Sequence, residues 1–289
     1  MKRREFLIGS AAALTAGRAW GQRPNQAKLD RIGVMSLCFE SVLKTPSSPA
    51  DPKRTVEVMD LADMIADRYG IHRIEFQQTD FSSTEPGYFR EFLSRMKKAK
   101  SQVTSLNVEF GNLNISTADA VLRLETIDLT KRWIDHAVEL ECPRVMLNQG
   151  TLANSVRQSA IETLKTMNSY AKTKNVSIQM EPRLRTDARN TPWETFVEVI
   201  KASGTCVNPD PGNFPDNESR AAALPVMYQL TAGSSHVKHL PEKFSTPEAI
   251  KISKEAGYKG IYTIEERAFN SPDPYVGVQT VVDVLVASI

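Results

Sequence analysis

From residue 31 onward, short apolar runs alternate with longer amphipathic segments, eight of each, and this alternation limits the chain to a few α/β architectures. The predicted strands span 31–37, 71–76, 102–108, 143–148, 176–181, 205–210, 234–240 and 260–265. The predicted helices span 53–69, 86–100, 117–140, 155–174, 192–203, 218–230, 247–256 and 275–287. Eight strand–helix units in roughly 255 residues match a closed (β/α)8 barrel, which typically has about 250 residues. The sequence therefore predicts an α/β chain with one (β/α)8 TIM barrel domain.

An open, doubly wound parallel sheet is the structural alternative. Such sheets usually contain fewer units and place a glycine-rich phosphate-binding turn after the first strand. Here the first predicted strand continues into SLCFESVLK, which contains no glycine. The composition, 41% hydrophobic and 24% charged, is that of an ordinary globular protein and argues against a disordered chain or a membrane bundle.

The first residues, MKRREFLIGSAAALTAGRAWGQ, have the pattern of an export signal. Arg3 and Arg4 precede a modestly apolar, alanine-rich run, which resembles a twin-arginine signal peptide. A plain N-terminal helix or a membrane anchor is the alternative, but the run is shorter than the roughly 20 apolar residues that a membrane span needs. We therefore expect a signal peptide at 1–21, a linker at 22–30, the barrel at 31–289, a periplasmic location and no stable membrane span.

The charge balance argues against a nucleic-acid partner. The chain has a formal net charge of +2, but residues 1–21 carry four basic side chains against one acidic side chain. The remainder has 32 basic and 33 acidic side chains and no basic stripe that could follow a phosphate backbone.

The alternation of side chains along each strand places an unusual set of polar residues toward the barrel axis. Ile74 and Phe76 would face the helices, which turns Arg73 and Glu75 inward. The same reasoning turns further polar side chains inward on the last four strands: Gln179, Glu181, Asn208, Asp210, His236, Lys238, Thr263 and Glu265. A barrel interior built only for stability favours Val, Ile and Leu, so this polar interior indicates a binding site.

Three carboxylates, Glu181, Asp210 and Glu265, come at the carboxyl ends of their strands, where barrel enzymes keep their active sites. Convergent carboxylates repel one another and need a cation, which Lys238 and Arg183 could supply. A divalent metal bound by three oxygens and the His236 imidazole would balance the charge better. Three oxygens and one nitrogen suit Mn²⁺, Mg²⁺, Co²⁺ or Zn²⁺ without deciding among them. The alternative is that each carboxylate forms an ordinary salt bridge.

Four segments carry a resemblance to a known family: IQMEPR at 178–183, NPDPGNF at 208–214, SHVKH at 235–239 and GYKGIYTIEE at 257–266. In their order and strand placement they resemble the sugar phosphate isomerase/epimerase branch of the xylose isomerase-like TIM barrel superfamily, over roughly residues 31–289. The resemblance implies one divalent metal ion, held by Glu181, Asp210, His236 and Glu265. Two positions depart from the family pattern, where Arg183 and Asn213 stand in place of histidines.

The resemblance also implies proton abstraction next to the carbonyl of a keto sugar or keto glycoside, through a metal-stabilised enediolate. Glu181 and Glu265 would act as base and acid, and Lys238 would support a developing oxyanion or restrain a carboxylate. The expected substrate-binding residues are Glu75, Asn107, Glu109, Asn148, Arg183 and Asn213.

Three other functions remain open. A lyase reaction is one, because loss of the same proton can precede β-elimination. A non-catalytic periplasmic sugar-binding or accessory protein on the same barrel is favoured by the missing imidazoles. An apurinic-site endonuclease, the DNA branch of the superfamily, is disfavoured by the four histidines and the export signal. The sequence is compatible with a homo-oligomer but does not predict one.

Overall fold

The computed structural model describes residues 26–48, 50–184, 191–267 and 270–289. The predicted signal peptide lies outside these residues. Part of the predicted linker forms a short helix, α1 (Gln26–Leu29). Leu29 is buried, and the Lys28 ammonium donates a hydrogen bond to the carbonyl of Val286, near the C-terminus, at 2.6 Å.

Eight parallel strands form one sheet, which confirms the predicted (β/α)8 fold. The strands are β1 (Ile32–Met35), β2 (Arg73–Gln77), β3 (Gln102–Val108), β4 (Arg144–Asn148), β5 (Ser177–Glu181), β6 (Cys206–Val207), β7 (Ser234–Val237) and β8 (Ile261–Ile264). Ladders join them in the order β6-β5-β4-β3-β2-β1-β8-β7. The sheet closes between β6 and β7 through single hydrogen bonds, such as that from the amide of His236 to the carbonyl of Pro209 at 2.8 Å.

Helices connect the strands and cover the outside of the sheet. They are α2 (Leu61–Tyr69), α3 (Pro86–Lys98), α4 (Ala120–Glu139), α5 (Asn154–Thr173), α6 (Trp193–Ser203), α7 (Asn217–Gln229), α8 (Thr246–Glu255) and α9 (Pro274–Ser288). Gly70 and Gly204 end α2 and α6 in the left-handed conformation, with φ of 66° and 69°, which glycine adopts without steric cost. Within the described residues, no helix has both the length and the apolar character needed to span a bilayer.

Several predicted elements are shorter than expected, and the largest differences are in the first predicted helix and the sixth predicted strand. The helix predicted from residue 53 begins at Leu61, because the preceding segment pairs with the loop after β1: the Val56 amide donates to the carbonyl of Val42 at 2.9 Å. The strand predicted over 205–210 forms a ladder only at Cys206–Val207. Pro209 and Pro211 follow, and proline has no amide hydrogen to extend the ladder.

The predicted inward and outward orientations agree with the burial pattern. Phe76 packs edge-to-face against Phe92 of α3, with ring centroids 5.1 Å apart, whereas its neighbour Glu75 is completely buried on the other side of the strand. On β8, the hydroxyl groups of Tyr262 and Ser253 of α8 lie 2.6 Å apart. The helix layer thus takes the apolar side chains and leaves the polar ones to the barrel interior.

Candidate metal centre

Four side chains from neighbouring strands converge at the carboxyl ends of the barrel. Glu181 ends β5, His236 lies within β7, and Asp210 and Glu265 follow β6 and β8. Each of the four offers one ligand atom, and these atoms all lie within 4.8 Å of one another. All four residues are buried, with Glu265 the most accessible at 7% exposure.

The spacing and the chemistry of these atoms fit one divalent ion. Two ligand atoms on opposite sides of an ion, each bound at about 2.1 Å, are about 4.2 Å apart. The four ligand atoms lie within 4.8 Å of one another, so they would move together by only a fraction of an ångström to bind one ion. Three carboxylate oxygens and one imidazole nitrogen are a donor set used by Mn²⁺, Mg²⁺, Co²⁺ and Zn²⁺. The predicted ligand set is therefore brought together, and the structure leaves the identity of the metal open.

The His236 ring is fixed by carboxylates on both of its nitrogens. Nδ1 lies 2.9 Å from Glu181 Oε1 and 2.9 Å from Glu265 Oε2, whereas Nε2 lies 3.0 Å from Glu75 Oε1. This arrangement turns Nδ1 toward the predicted ligands and leaves Nε2 to hydrogen-bond with Glu75. Glu75, which the sequence predicts to bind substrate, is completely buried beneath the histidine and is not among the residues that line the neighbouring cavity. Its contact with a substrate stays a prediction.

Two cations contact the carboxylates at their edges. The Lys238 ammonium donates a hydrogen bond to Asp210 and lies 3.1 Å from Glu265 Oε2. The Arg183 guanidinium donates from Nε to Glu181 Oε2 at 2.9 Å. Both cations suggested by the sequence therefore contact the predicted ligands, and Lys238 restrains two carboxylates.

The electrostatics keep the carboxylates of Glu181 and Glu265 ionised. Burial opposes the charge on Glu265, but Lys238 and His236 outweigh it and lower its pKa to about 2. Burial is likewise outweighed at Glu181, where Lys238, His236 and Arg183 lower the pKa. Burial disfavours a charged His236, yet Glu75, Glu181 and Glu265 together raise its pKa well above the usual value. A metal ion binding here would replace the proton on Nδ1, because an imidazole ligand is neutral.

The loop after β6 holds Asp210 in place. Residues Pro211–Asn213 form a short 3₁₀ helix, and the amide of Gly212 donates to Asp210 Oδ1 at 2.8 Å. A Cβ atom on Gly212 would lie 2.9 Å from Cδ of Lys238, so glycine allows the lysine to pass. Nε of the buried Arg220 donates to the carbonyl of Pro211 at 2.7 Å and anchors the loop from α7.

A polar cavity of about 260 Å³ opens beside the four side chains. Among the predicted site residues it is lined by Asn107, Glu109, Glu181, Arg183, His236 and Glu265. Glu109 is held over the cavity by the amides of Asn107 and Asn148, at 3.1 and 2.7 Å. A larger cavity, of about 510 Å³, lies at the amino ends of the strands beside Arg144 and contacts none of the four converging residues.

Two further predicted substrate-binding residues do not line the cavity. Asn148 supports Glu109, and Asn213 accepts a hydrogen bond from the Lys238 ammonium at 3.3 Å. Sequence reasoning also missed several lining residues: Met35, Leu37, Gln77, Met146 and Arg267. Gln77 and Met146 have the same inward orientation as Glu75 and Asn148 on their strands, so the alternation of side chains contained that signal.

Comparisons with known proteins agree with this fold. The family model described as "Xylose isomerase-like TIM barrel" matches residues 64–277. D-psicose 3-epimerase from Clostridium cellulolyticum, solved with D-tagatose, has a TM-score of 0.72 and 14% identity, covering 89% of this chain and 99% of its own.

Two other solved structures are similar to this chain. The 3-keto-D-glucoside 4-epimerase from E. coli has a TM-score of 0.65 and 15% identity, covering 89% of this chain and 97% of its own. An L-ribulose 3-epimerase has a TM-score of 0.67 and 13% identity, covering 89% of this chain and 95% of its own. The chain matches no functionally curated protein sequence. Because the family model matches most of its length, the chain belongs to the xylose isomerase-like TIM barrel family.

Proposed function

We propose that the protein is a metal-dependent isomerase or epimerase of the sugar phosphate isomerase/epimerase branch, acting on keto sugars after export through its twin-arginine signal. The observation that carries the proposal is the cluster of Glu181, Asp210, His236 and Glu265, four potential metal ligands that adjoin a polar cavity at the carboxyl ends of the strands.

The cluster supports proton transfer next to a carbonyl group. A divalent ion held there would supply positive charge to the carbonyl oxygen of a bound sugar and so acidify the neighbouring C–H bond. Glu181 and Glu265 come from different strands and have different partners, Arg183 and Lys238. One carboxylate would remove the proton from the carbon, and the other would pass a proton taken up from solvent to the opposite face of the same carbon, while the first releases its proton to solvent. The result is epimerisation, with no net gain or loss of atoms.

The solved structures that this chain resembles support the same class of reaction. Inversion at C3 of a 2-ketose and inversion at C4 of a 3-keto glucoside both take place at a carbon next to a carbonyl group. The names D-psicose 3-epimerase and 3-keto-D-glucoside 4-epimerase refer to reactions of these two kinds. Low sequence identity transfers only the fold, so the substrate has to be found by assay.

The test uses the mature protein, stripped with chelator and reloaded separately with Mn²⁺, Mg²⁺, Co²⁺ or Zn²⁺. Each form is incubated in D2O with D-fructose, D-tagatose or a 3-keto glucoside, and NMR follows deuterium entry at carbons next to the carbonyl. We expect metal-dependent exchange that Glu181→Gln and Glu265→Gln abolish. Glu242→Gln, at an exposed glutamate, is the matched control and should retain activity. No metal uptake, together with unchanged turnover in both active-site variants, would refute the proposal.

A non-catalytic sugar-binding protein is the second candidate. The family resemblance implies histidines at positions 183 and 213, where this chain has Arg183 and Asn213. Arg183 donates to Glu181 and Asn213 accepts from Lys238, so neither supplies an imidazole for proton transfer. Sugar binding that persists after chelation, without conversion or deuterium exchange, would favour this candidate. Release of a β-elimination product in the same incubations would identify a lyase instead.

A further inference from the structure

A second pocket adjoins the cavity beside the metal centre. It has a volume of about 150 Å³ and lies between the loop that follows β1 and the short helix that follows β2. Leu37 and Gln77 line both spaces, so the pocket and the cavity are neighbours across these two side chains. The outer wall of the pocket includes Thr45, Ser47 and Thr79.

The ionisable side chains of the pocket are engaged within the protein. The Asp80 carboxyl accepts hydrogen bonds from the Ser36 hydroxyl and the backbone amide of Gln77. Arg54 donates to the carbonyl of Leu43 at 3.0 Å, and its Nε lies 3.5 Å from a carboxylate oxygen of Asp51. Glu40 forms two ion-pair contacts with Arg267, at 3.3 and 2.9 Å. The hydroxyl groups of Thr45 and Ser47 lie 2.9 Å apart, and the Gln77 side chain accepts from the amide of Asp80. The Thr79 hydroxyl and the remaining hydrogen-bonding positions of these polar groups would face a ligand. Such a surface suits a neutral, hydroxyl-bearing group better than a phosphate, which binds to cations and converging N–H groups.

The cavity beside the metal centre has the same character. Arg183, which lines it, contacts Glu181 at 2.9 Å and lies 4.0 Å from Glu109. Arg267 is held by Glu40. A phosphate bound here would have to share these guanidinium groups with the carboxylates that already hold them.

The combined volume of the cavity and the pocket favours a ligand larger than one sugar ring. Small-molecule sites usually occupy roughly 300–1,000 Å³, and the 260 Å³ cavity alone falls short of that range. With the 150 Å³ pocket added, the joint space falls within it. A single sugar ring would leave the outer pocket to water, whereas a second ring or a similar substituent would fill it.

We propose that the pocket is a subsite for the group attached to the reacting sugar, so that the substrate is a neutral glycoside or disaccharide rather than a free or phosphorylated monosaccharide. This inference rests on the proposed function. It deepens that proposal by naming the class of substrate and the residues, on the loops after β1 and β2, that select it.

Calorimetry on the Mn²⁺-loaded protein tests the subsite directly. The probes are D-glucose, glucose 6-phosphate, and the disaccharides trehalose, maltose and cellobiose, together with the 3-keto forms of glucose and the disaccharides. We expect at least one disaccharide to bind about tenfold more tightly than the matching form of glucose. Glucose 6-phosphate should gain nothing over glucose.

Two variants fill the pocket from its two loops, Ser47→Trp and Thr79→Trp. Both positions are exposed, so the fold should accept the larger side chain. Each variant should remove the preference for the disaccharide and leave glucose binding and metal affinity unchanged. Lys53→Trp, at an exposed position that does not line the pocket, is the matched control and should bind as the wild type does.

Equal affinity for glucose and every disaccharide would overturn the inference, as would a disaccharide preference that both variants retain. Turnover distinguishes this failure from failure of the proposed function. Epimerisation of monosaccharides with no preference for disaccharides refutes the subsite alone. A disaccharide preference that the variants remove, without turnover of any sugar, supports the subsite and refutes the enzyme.

Discussion

Replacing Glu75 with glutamine tests whether the buried carboxylate beneath His236 controls metal affinity. The Glu75 side chain is completely buried, and its Oε1 atom lies 3.0 Å from His236 Nε2. The carboxylate accepts from Nε2 and so turns Nδ1 toward the candidate metal site, and a metal ion bound there would complete a carboxylate–histidine–metal triad. Glutamine has nearly the same size but no charge, so the packing is kept and the electrostatic support is lost.

The expected loss of metal affinity in the Glu75→Gln protein follows from this geometry. Removing the outer carboxylate of such a triad typically weakens metal binding about 10- to 100-fold, which corresponds to about 1.4–2.7 kcal/mol. Because Glu75 has no exposed surface, water is poorly placed to replace the lost hydrogen bond, and we expect a result in the upper half of that range. The metal-free protein should also lose stability, since a hydrogen bond to a charged group contributes about 1.5–3 kcal/mol.

Competition with a chromophoric chelator measures the affinity for Mn²⁺ and Zn²⁺, and urea unfolding in EDTA measures the stability of the metal-free protein. Glu242→Gln, an exposed substitution of the same kind, should change neither quantity. A Glu75→Gln protein that binds both metals within about twofold of the wild type would refute the triad reasoning. Weaker binding with unaltered urea unfolding would show that Glu75 acts only in the metal-bound protein.

Three further predictions concern the rest of the chain. Burial raises the pKa of Asp80 from 3.8 to about 6 against its hydrogen bonds, so the folded protein binds this proton more tightly than the unfolded chain does. The free energy of unfolding should therefore fall as the pH rises from about 4 to about 6. Asp80→Asn lacks this proton, so its free energy of unfolding relative to the wild type should increase by up to about 3 kcal/mol between pH 4 and pH 7. A variant that differs from the wild type by the same free energy at both pH values would contradict the prediction. Gly260→Ala should lower the free energy of unfolding, measured in urea, by roughly 1–3 kcal/mol, because the added Cβ would lie 2.5 Å from the carbonyl oxygen of Gly233. An unchanged midpoint of urea unfolding would disprove that tight contact. Replacing Arg3 and Arg4 with lysine should retain the precursor in the cytoplasm, and cell fractionation that finds equal export would rule out the twin-arginine route.

The barrel and its four converging side chains could be predicted because both depend on local patterns. The alternation of apolar and polar residues along each strand decides which side chains face the axis, and it holds for Ile74, Glu75 and Tyr262. In a parallel barrel the carboxyl ends of all strands meet at one face. Glu181 and Glu265 at two strand ends therefore had to come close together.

The connection between β1 and α2 could not be predicted in the same way. Residues 53–69 have a helical pattern, but the first part of this segment pairs with the loop after β1 through Val56 and Val42. That pairing depends on a contact between segments and overrides local helix propensity. The pocket proposed as a subsite lies against this same connection, so sequence patterns gave no signal for it.

The direction in which a side chain points does not fix its depth along the barrel axis, so the alternation alone could not say which β2 residues reach the cavity. Arg73, Glu75 and Gln77 alternate with apolar neighbours, yet Arg73 hydrogen-bonds near the amino ends of the strands, Glu75 is buried beneath His236, and Gln77 lines the cavity. Depth depends on the register between strands, and the β2–β3 register shifts between Ile74 and Glu75. Such an irregularity moves every later residue of one strand relative to the other. The sequence could assign Glu75 only to the axis side, and only the assembled sheet shows that it lies against His236.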